Sequence, residues 1–276
     1  MLTSSKQMIL EAQKGGYAIG CFNTSDLEMT KAIIAAVVNL KSPVIISTSE
    51  RAIEYAGLKS LSAIIKEEAK NTFLPIALHL DHGKSLEIVK GCLEAGYTSV
   101  MFDGSDLELS ENIGLTKQAV QMAHLYQVPC EGELGYLNKV GENKTNLTNP
   151  DEVAGFIQGT EVDFLAPSIG SEHGRGQNEV LDIELLKKIK LLTNIPLVLH
   201  GASGVSADDI KAAIQNGICK INIDTDIRQT FAQGLRDALA EHPRENEPRE
   251  ILTKVIADVQ KLVEEKIRLF GSVGKG

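Results

Sequence analysis

The chain alternates between short apolar runs and helical stretches, and this repeat constrains the fold more than any other feature. Eight runs rich in Val, Ile, Leu and Ala have the character of buried strands, and each is followed by a stretch with helical spacing. Eight strand–helix units predict an α/β fold, a (β/α)8 TIM barrel, because an open doubly wound sheet typically has about six strands. The predicted strands are Tyr17–Phe22, Pro43–Ser47, Leu74–Leu80, Thr98–Phe102, Val128–Leu134, Asp163–Pro167, Pro196–Leu199 and Gly217–Ile223.

One further helix, Glu250–Leu269, follows the last strand–helix unit without a strand of its own. Its apolar face predicts either packing on the side of the barrel or a subunit interface, and both remain open at this stage. No linker or change of composition divides the chain, so we expect one barrel domain over residues 1–276.

Charge and composition exclude several classes of function. The net charge of −9 and the isoelectric point near 5.3 argue against nucleic acid or an anionic membrane as a partner. The four cysteines are widely spaced without a C-x-x-C pair, which favours buried thiols in a reducing compartment. The first 16 residues are polar and helical, and no apolar run reaches transmembrane length, so we expect a cytoplasmic protein.

Histidines followed by glycine recur where the predicted strands end. Asp81-His82-Gly83 follows the third strand, His173-Gly174 the sixth, and His200-Gly201 the seventh. Barrel active sites lie at the carboxyl ends of the strands, so these segments are expected to face one mouth. Three imidazoles with an open fourth position are typical of a catalytic zinc site, and His82, His173 and His200 are the predicted ligands.

Two carboxylates and two small-residue segments add to this mouth. Asp103 and Glu133 end the fourth and fifth strands, where they would hold a second or alternative cation or orient the histidines. Small and hydroxyl residues follow the seventh and eighth strands, where barrels often bind phosphate. The candidate substrate contacts at this mouth are Asn23, Ser49, Gly174, Gly201, Ala202, Ser203, Asn222, Ile223, Asp224 and Thr225.

These segments, in this order, resemble the class II, metal-dependent ketose-bisphosphate aldolases, the family of fructose- and tagatose-bisphosphate aldolases. The resemblance rests on SVMFDGS at Ser99–Ser105, EGELG at Glu131–Gly135, IGSEHG at Ile169–Gly174, HGASG at His200–Gly204 and KINIDTDIR at Lys220–Arg228. It implies zinc-assisted cleavage of a ketose 1,6-bisphosphate to dihydroxyacetone phosphate and an aldehyde such as glyceraldehyde 3-phosphate. Fructose 1,6-bisphosphate is the leading substrate.

The resemblance also implies a role for particular residues. His82, His173 and His200 match the zinc ligands, Asp103 and Glu133 a second divalent-cation position, and Asp81 the carboxylate that handles the proton of the C4 hydroxyl. Glu142 matches a mobile-loop glutamate that moves the enediolate proton. The phosphate pocket would also hold Na⁺ or K⁺, and a homodimer or homotetramer is implied. A Schiff-base mechanism is disfavoured, because the best candidate lysine, Lys220, falls inside a strand instead of at its tip.

Three departures from the family pattern concern the far end of the substrate. Arg175-Gly176-Gln177 follows the second His-Gly, Arg51 follows Ser49-Glu50, and Ile256 stands where the family often has an arginine for a distal phosphate. Tagatose 1,6-bisphosphate, or a ketose 1-phosphate with an unphosphorylated or sulfonated distal group, is therefore an alternative substrate, with Arg51 and Arg175 as replacement contacts. A barrel that binds phosphosugars without catalysis is the remaining alternative.

Overall fold

A closed parallel barrel forms the centre of the molecule. A computed structural model describes residues 2–137, 147–172, 174 and 180–276. Its strands hydrogen-bond in sequence order from β1 to β8, and β8 pairs with β1 to close the barrel. The predicted fold is confirmed. The strands are Ile19–Asn23 (β1), Val44–Ser49 (β2), Ile76–Gly83 (β3), Ser99–Phe102 (β4), Cys130–Leu134 (β5), Phe164–Pro167 (β6), Leu197–Leu199 (β7) and Ile218–Ile223 (β8).

Helices surround the barrel, and short polar side chains start most of them. Ser85, Asp182 and Ser206, for example, each accept a hydrogen bond from a main-chain N–H in the first turn of the helix that they precede. The helices are Ser5–Gly15 (α1), Leu27–Leu40 (α2), Glu50–Ala56 (α3), Leu58–Glu68 (α4), Leu86–Glu94 (α5), Leu109–Leu125 (α6), Pro150–Thr160 (α7), Ile183–Leu192 (α8), Ala207–Gln215 (α9), Thr225–Glu241 (α10) and Pro248–Phe270 (α11). Among these described helices, none is long and apolar enough to cross a bilayer.

Two local features differ from the sequence prediction. Strand β3 does not end at Leu80 but continues to Gly83, with a shift of register against β4 after Leu80. The segment after β2, for which the sequence predicted no element, forms the short helix α3, because the Ser49 hydroxyl accepts from the Ala52 N–H and starts a helix there. Arg51 therefore lies in the first turn of a helix.

The inside of the barrel has an apolar floor and a polar layer above it. The floor is one cluster of side chains from the strands and from α1, which closes the barrel end. Above the floor lie His79, Glu131 and Lys220, all fully buried. The four cysteines are buried and unpaired, as predicted. Charged groups in such a layer need partners, since burial of a charge is unfavourable unless it is paired.

The extra C-terminal helix packs on its own chain. Its buried side chains recur every four or three residues and face α2 and α10. They are Val255, Val259, Val263, Ile267 and Phe270. Packing on the side of the barrel is thus the alternative that the structure bears out for this apolar face.

Candidate active site

The Asp81–His82 pair lies on an irregular part of β3 at the carboxyl end of the barrel. Register shifts between Leu80 and Gly83, and His82 has a left-handed backbone with φ of 51°. A bulge of this kind re-aims side chains that would otherwise alternate across the sheet. Gly83 permits it, because a Cβ there would lie 2.8 Å from the Met101 carbonyl oxygen. Non-glycine residues with positive φ are strained and often mark functional sites.

His82 and His200 are held by carboxylates through the nitrogen that points away from Asp81. The Nδ1 of His82 lies 2.8 Å from the Asp103 Oδ2, and the Nε2 of His200 lies 2.7 Å from the Glu131 Oε1. The other ring nitrogens, Nε2 of His82 and Nδ1 of His200, lie 3.9 and 3.8 Å from the Asp81 Oδ1. Metal-binding histidines commonly present one nitrogen while a carboxylate fixes the other. Two of the three predicted zinc ligands are therefore brought together in a suitable arrangement.

Asp81 is gripped by two amide groups. The Nδ2 of Asn23 donates to its Oδ2 at 2.8 Å, and the Nδ2 of Asn222 donates to its Oδ1 at 2.7 Å. Burial alone would raise the pKa of Asp81, but the nearby positive charges of His82 and Lys220 and the hydrogen bond from Asn23 lower it well below its usual range. Asp81 is therefore an ionised carboxylate in fixed orientation.

A second group of possible metal ligands adjoins the first. His82, Asp103 and Glu133 place one ligand atom each within 4.8 Å of one another, as do Asp81, His82 and His200. Burial and the Asp103 charge raise the pKa of Glu133 to about 8, whereas burial of His82 is outweighed by Asp81, Asp103 and Glu133, which raise its pKa to about 10. The raised pKa of His82 reflects an excess of negative charge around it, which favours a cation at this point.

A buried carboxylate oxygen without a hydrogen bond gives independent support for a cation at this point. The Oε2 of Glu133 is buried and has no hydrogen-bond partner among the described residues, and a buried polar atom of this kind is rare without a ligand, ion or water. The Lys84 ammonium already lies 3.0 Å from the Asp103 Oδ2. A positive charge of the chain itself therefore competes for the Asp103 side of this group.

The loops after β7 and β8 form the wall opposite the acidic group. They line a cavity of about 450 Å³ that also includes Asp81, His82, His200 and Gly174. Gly201 adopts φ of 66°, and a Cβ there would lie 2.4 Å from the Glu172 carbonyl oxygen, so only glycine fits. The predicted contacts Asn23, Ser49, Ala202, Ser203, Asn222, Asp224 and Thr225 line this cavity as well.

Ile223 differs from the other predicted contacts. Its side chain is fully buried in the core outside the barrel, because it alternates with the inward Asn222. Only its main chain remains for contact with a ligand. His173, Arg175 and Glu142 lie outside the described residues, so their predicted roles stay predictions.

Sequence reasoning did not single out Glu131, and it treated Lys220 only as a rejected nucleophile. The Nζ of Lys220 lies 2.8 Å from the Glu131 Oε2. Burial would lower the pKa of Lys220, but its negative neighbours raise it, which is the opposite of what a Schiff-base lysine needs. A signal was present in the sequence, since Glu131 and Lys220 each lie two residues before a predicted site residue on the same strand and so share its inward face.

The other three histidines of the chain have structural positions. His79 is buried in the barrel, where burial and Lys220 lower its pKa to about 3, so it is neutral. His124 bonds Asp163 at the other end of the barrel, and His242 ends α10. These three residues lie in core or surface positions away from the mouth.

The positions that the sequence connects with the far end of the substrate lie in two different places. Ile256 packs against the core. Arg51 lines the 450 Å³ cavity and an adjoining cavity of about 330 Å³, and its guanidinium has no hydrogen bond or ion pair with the described residues. Arg228 lines both cavities too, but it pairs with Asp224 at 2.9 Å.

Comparison with known proteins gives a consistent result. The family model described as fructose-bisphosphate aldolase class-II matches residues 3–275. A fructose-bisphosphate aldolase of Thermus caldophilus is 38% identical over an alignment of 305 positions, which covers 100% of both chains. Among solved structures, the YdjI aldolase from Escherichia coli K12 is similar with a TM-score of 0.90 and 35% identity, covering 100% of this chain and 99% of that one. The fructose-bisphosphate aldolase of Campylobacter jejuni is similar with a TM-score of 0.86 and 26% identity, covering 100% and 97%.

Proposed function

The chain belongs to the class-II fructose-bisphosphate aldolase family, and we propose that it is the zinc-dependent aldolase that reversibly cleaves fructose 1,6-bisphosphate. The products are dihydroxyacetone phosphate and glyceraldehyde 3-phosphate. The observation that carries the proposal is the arrangement of His82 and His200 around Asp81. Each imidazole is fixed by a carboxylate, and the second nitrogen of each lies on the side of an ionised third carboxylate.

The proposed zinc ligands are His82, His173 and His200. When bound, zinc supplies Lewis-acid stabilisation of the negative charge that carbon–carbon cleavage leaves on the ketose. The chain's own contribution is orientation, because Asp103 and Glu131 hold two of the ligands before any metal arrives.

Asp81 is the proposed acid–base group. It takes the proton of the C4 hydroxyl in the cleavage direction and returns it in the synthesis direction. The Asn23 and Asn222 amides support this role, since they leave the carboxylate ionised and fix the direction of its oxygens. Glu142 is the proposed carrier of the second proton, at the carbon that becomes nucleophilic.

The phosphate of the dihydroxyacetone end is proposed to bind between the loops after β7 and β8. The 450 Å³ cavity is lined by Gly174, Gly201, Ala202, Ser203, Asn222, Asp224 and Thr225. Thr225 is the first residue of α10, so the start of a helix borders the cavity, and there the Asp226 N–H donates to the Ser203 hydroxyl. A Na⁺ or K⁺ ion beside Asp224 would offset the negative charge that this carboxylate adds.

The second divalent cation is proposed at Asp103 and Glu133. The orphaned Glu133 oxygen supports it, and the Lys84 ammonium near Asp103 makes this the weaker of the two positions. The chain is further proposed to be a cytoplasmic homodimer or homotetramer, which light scattering of the purified protein would measure.

A second candidate substrate class is favoured by the far end of the site. Ile256, where a phosphate-binding arginine would be expected, is partly buried and packs against the core, while Arg51, unpaired among the described residues, borders the site from α3. Tagatose 1,6-bisphosphate or a ketose 1-phosphate with another distal group, such as a sulfonate, is the alternative. Arg51 and Arg175 are then the proposed distal contacts, since a guanidinium binds phosphate, sulfonate or carboxylate oxygens.

Coupled assays of dihydroxyacetone phosphate release test both proposals on one panel of ketose phosphates. Fructose 1,6-bisphosphate should give the highest kcat/KM, and preference for another distal group by more than about tenfold, or about 1.4 kcal/mol, would select the alternative. Removing metal with a chelator should abolish cleavage, and added Zn²⁺ should restore it. Cleavage that survives complete metal removal would refute the metal mechanism.

A further inference from the structure

A buried cation lies beneath the proposed metal site without contacting the mouth. Lys220 is on β8 and fully buried, as is its partner Glu131 on β5, while His200 is 1% exposed. The Lys220 Nζ donates to the Glu131 Oε2 at 2.8 Å, and the His200 Nε2 lies 2.7 Å from the Glu131 Oε1. The three groups form one continuous chain of hydrogen bonds from inside the barrel to a predicted ligand.

The numbers of donors and acceptors on Lys220, Glu131 and His200 determine which group donates in each of these hydrogen bonds. An ammonium can only donate, and a carboxylate that accepts from it on one oxygen offers the other oxygen as an acceptor. The Nε2 of His200 must therefore carry its hydrogen and donate to Glu131. The neutral ring then has its lone pair on Nδ1, which is the nitrogen on the Asp81 side.

Lys220 is itself held from below. Its Nζ lies 3.4 Å from the His79 Nε2, and the His79 Nδ1 lies 2.8 Å from the Ser99 Oγ. Ser5, on the helix that closes the barrel floor, donates to the same Ser99 hydroxyl at 2.8 Å. The ammonium thus has partners on two sides, which restricts where it can lie.

Stability does not explain such a pair. Replacing a buried ion pair by apolar residues of similar size is often neutral or stabilising, so its presence needs another reason. We propose that Lys220 is a positioning residue, which sets the orientation and tautomer of His200 through Glu131 so that Nδ1 is available to the metal. The inference rests on the proposed metal site, but it does not depend on which sugar is cleaved.

Glu131→Gln separates this role from simple packing. A glutamine has one acceptor oxygen where glutamate has two. Lys220 can only donate, so it takes that oxygen and leaves the amide NH₂ facing His200. His200 then presents Nε2 as an acceptor and carries its hydrogen on Nδ1, which weakens metal binding through Nδ1.

A second substitution, Lys220→Met, is therefore expected to rescue metal binding in Glu131→Gln. With Lys220→Met added, no donor competes for the oxygen of the introduced amide, which turns to accept from His200. We expect Zn²⁺ affinity to fall by about 10–100-fold in Glu131→Gln, which is the usual effect of losing a partner of a metal-bound histidine, and to recover to within about fivefold of wild type in the double variant. Lys220→Met alone should weaken Zn²⁺ binding by about tenfold.

Two measurements on the full-length protein decide the matter without any sugar. Chelator competition gives the Zn²⁺ affinity of each variant, and ¹⁵N NMR of the metal-free, histidine-labelled protein reports the tautomer of His200, which should switch in Glu131→Gln and switch back in the double variant. Lys266→Met is the matched control, because Lys266 forms a partly buried 2.6 Å pair with Asp226 outside the barrel and should lose stability but not Zn²⁺ affinity.

The outcomes separate cleanly. If the double variant binds Zn²⁺ no better than Glu131→Gln, or if the His200 tautomer is the same in all variants, the positioning role is wrong. This comparison still holds if Lys220→Met alone does not fold. Failure to cleave any ketose phosphate would refute the proposed function and leave this result intact, since metal binding is measured directly.

Discussion

Replacing Asp81 by alanine tests the centre of the proposed mechanism. The substitution removes the carboxylate that Asn23 and Asn222 orient. Loss of a general acid–base group reduces turnover by about 10²–10⁴-fold, which corresponds to about 2.7–5.4 kcal/mol of activation free energy. We expect kcat to fall by this amount.

Metal binding needs separate attention in this variant. His82 and His200 keep their carboxylate partners, because neither hydrogen bond uses Asp81. However, a unit charge about 4 Å from a cation contributes about 4 kcal/mol at an effective dielectric constant near 20, so affinity will weaken. Steady-state cleavage is therefore measured at saturating Zn²⁺, with bound metal quantified in the same samples.

The matched control is Asp106→Ala, which removes a rim carboxylate with a 54% exposed side chain and should keep kcat within about twofold. A graded variant, Asn23→Ala, removes one hydrogen bond that lowers the pKa of Asp81. The pKa should rise, so the acidic limb of the kcat/KM profile should move to higher pH. Normal turnover in metal-loaded Asp81→Ala, or a loss fully explained by missing metal, would refute the reasoning.

Three further predictions concern the scaffold. Gly201→Ala should lower both stability and metal-loaded activity, measured by thermal unfolding and steady-state kinetics, since its Cβ would meet the Glu172 backbone; wild-type behaviour would contradict the tight loop contact. Asp163→Asn should destabilise the protein by about 1–3 kcal/mol at pH 7, because it breaks a 2.7 Å contact with Lys6. Burial raises the pKa of Asp163 in the folded protein, but its hydrogen bonds lower it by more. The difference in stability between wild type and Asp163→Asn is therefore complete above about pH 4 and should shrink as the pH falls further. Denaturant unfolding at several pH values measures it, and a difference that does not change with pH would mean that the pair does not matter. Val259→Ala in α11 should cost about 2 kcal/mol in the same unfolding assay, and no loss would mean that this helix face does not pack as described.

The periodic features of this protein were accessible from sequence. The eightfold alternation predicted the barrel because buried parallel strands and amphipathic helices each leave a local pattern. The same rule placed Asp81, His82 and His200 at one mouth, since the carboxyl ends of all barrel strands lie on one side. The polar caps and glycine ends of the helices also follow from neighbouring residues, so boundaries differed by only a few positions.

Features that depend on contact between distant segments were not accessible in this way. The bulge at Asp81–His82 arises from the pairing of β3 with β4. It leaves no periodic signal in the sequence. The packing of Ile256 on the core likewise depends on where α11 docks.

The sequence by itself determined which residue types reach the mouth of the barrel, because strand period and strand order decide that. Only the tertiary structure decided how those residues are held. Glu131 and Lys220 are 89 positions apart, and their contact depends on the closure of the barrel and on the stagger of its strands. A buried charge can be tolerated only where a partner meets it at hydrogen-bond distance, and that distance is a property of the closed barrel and not of either strand.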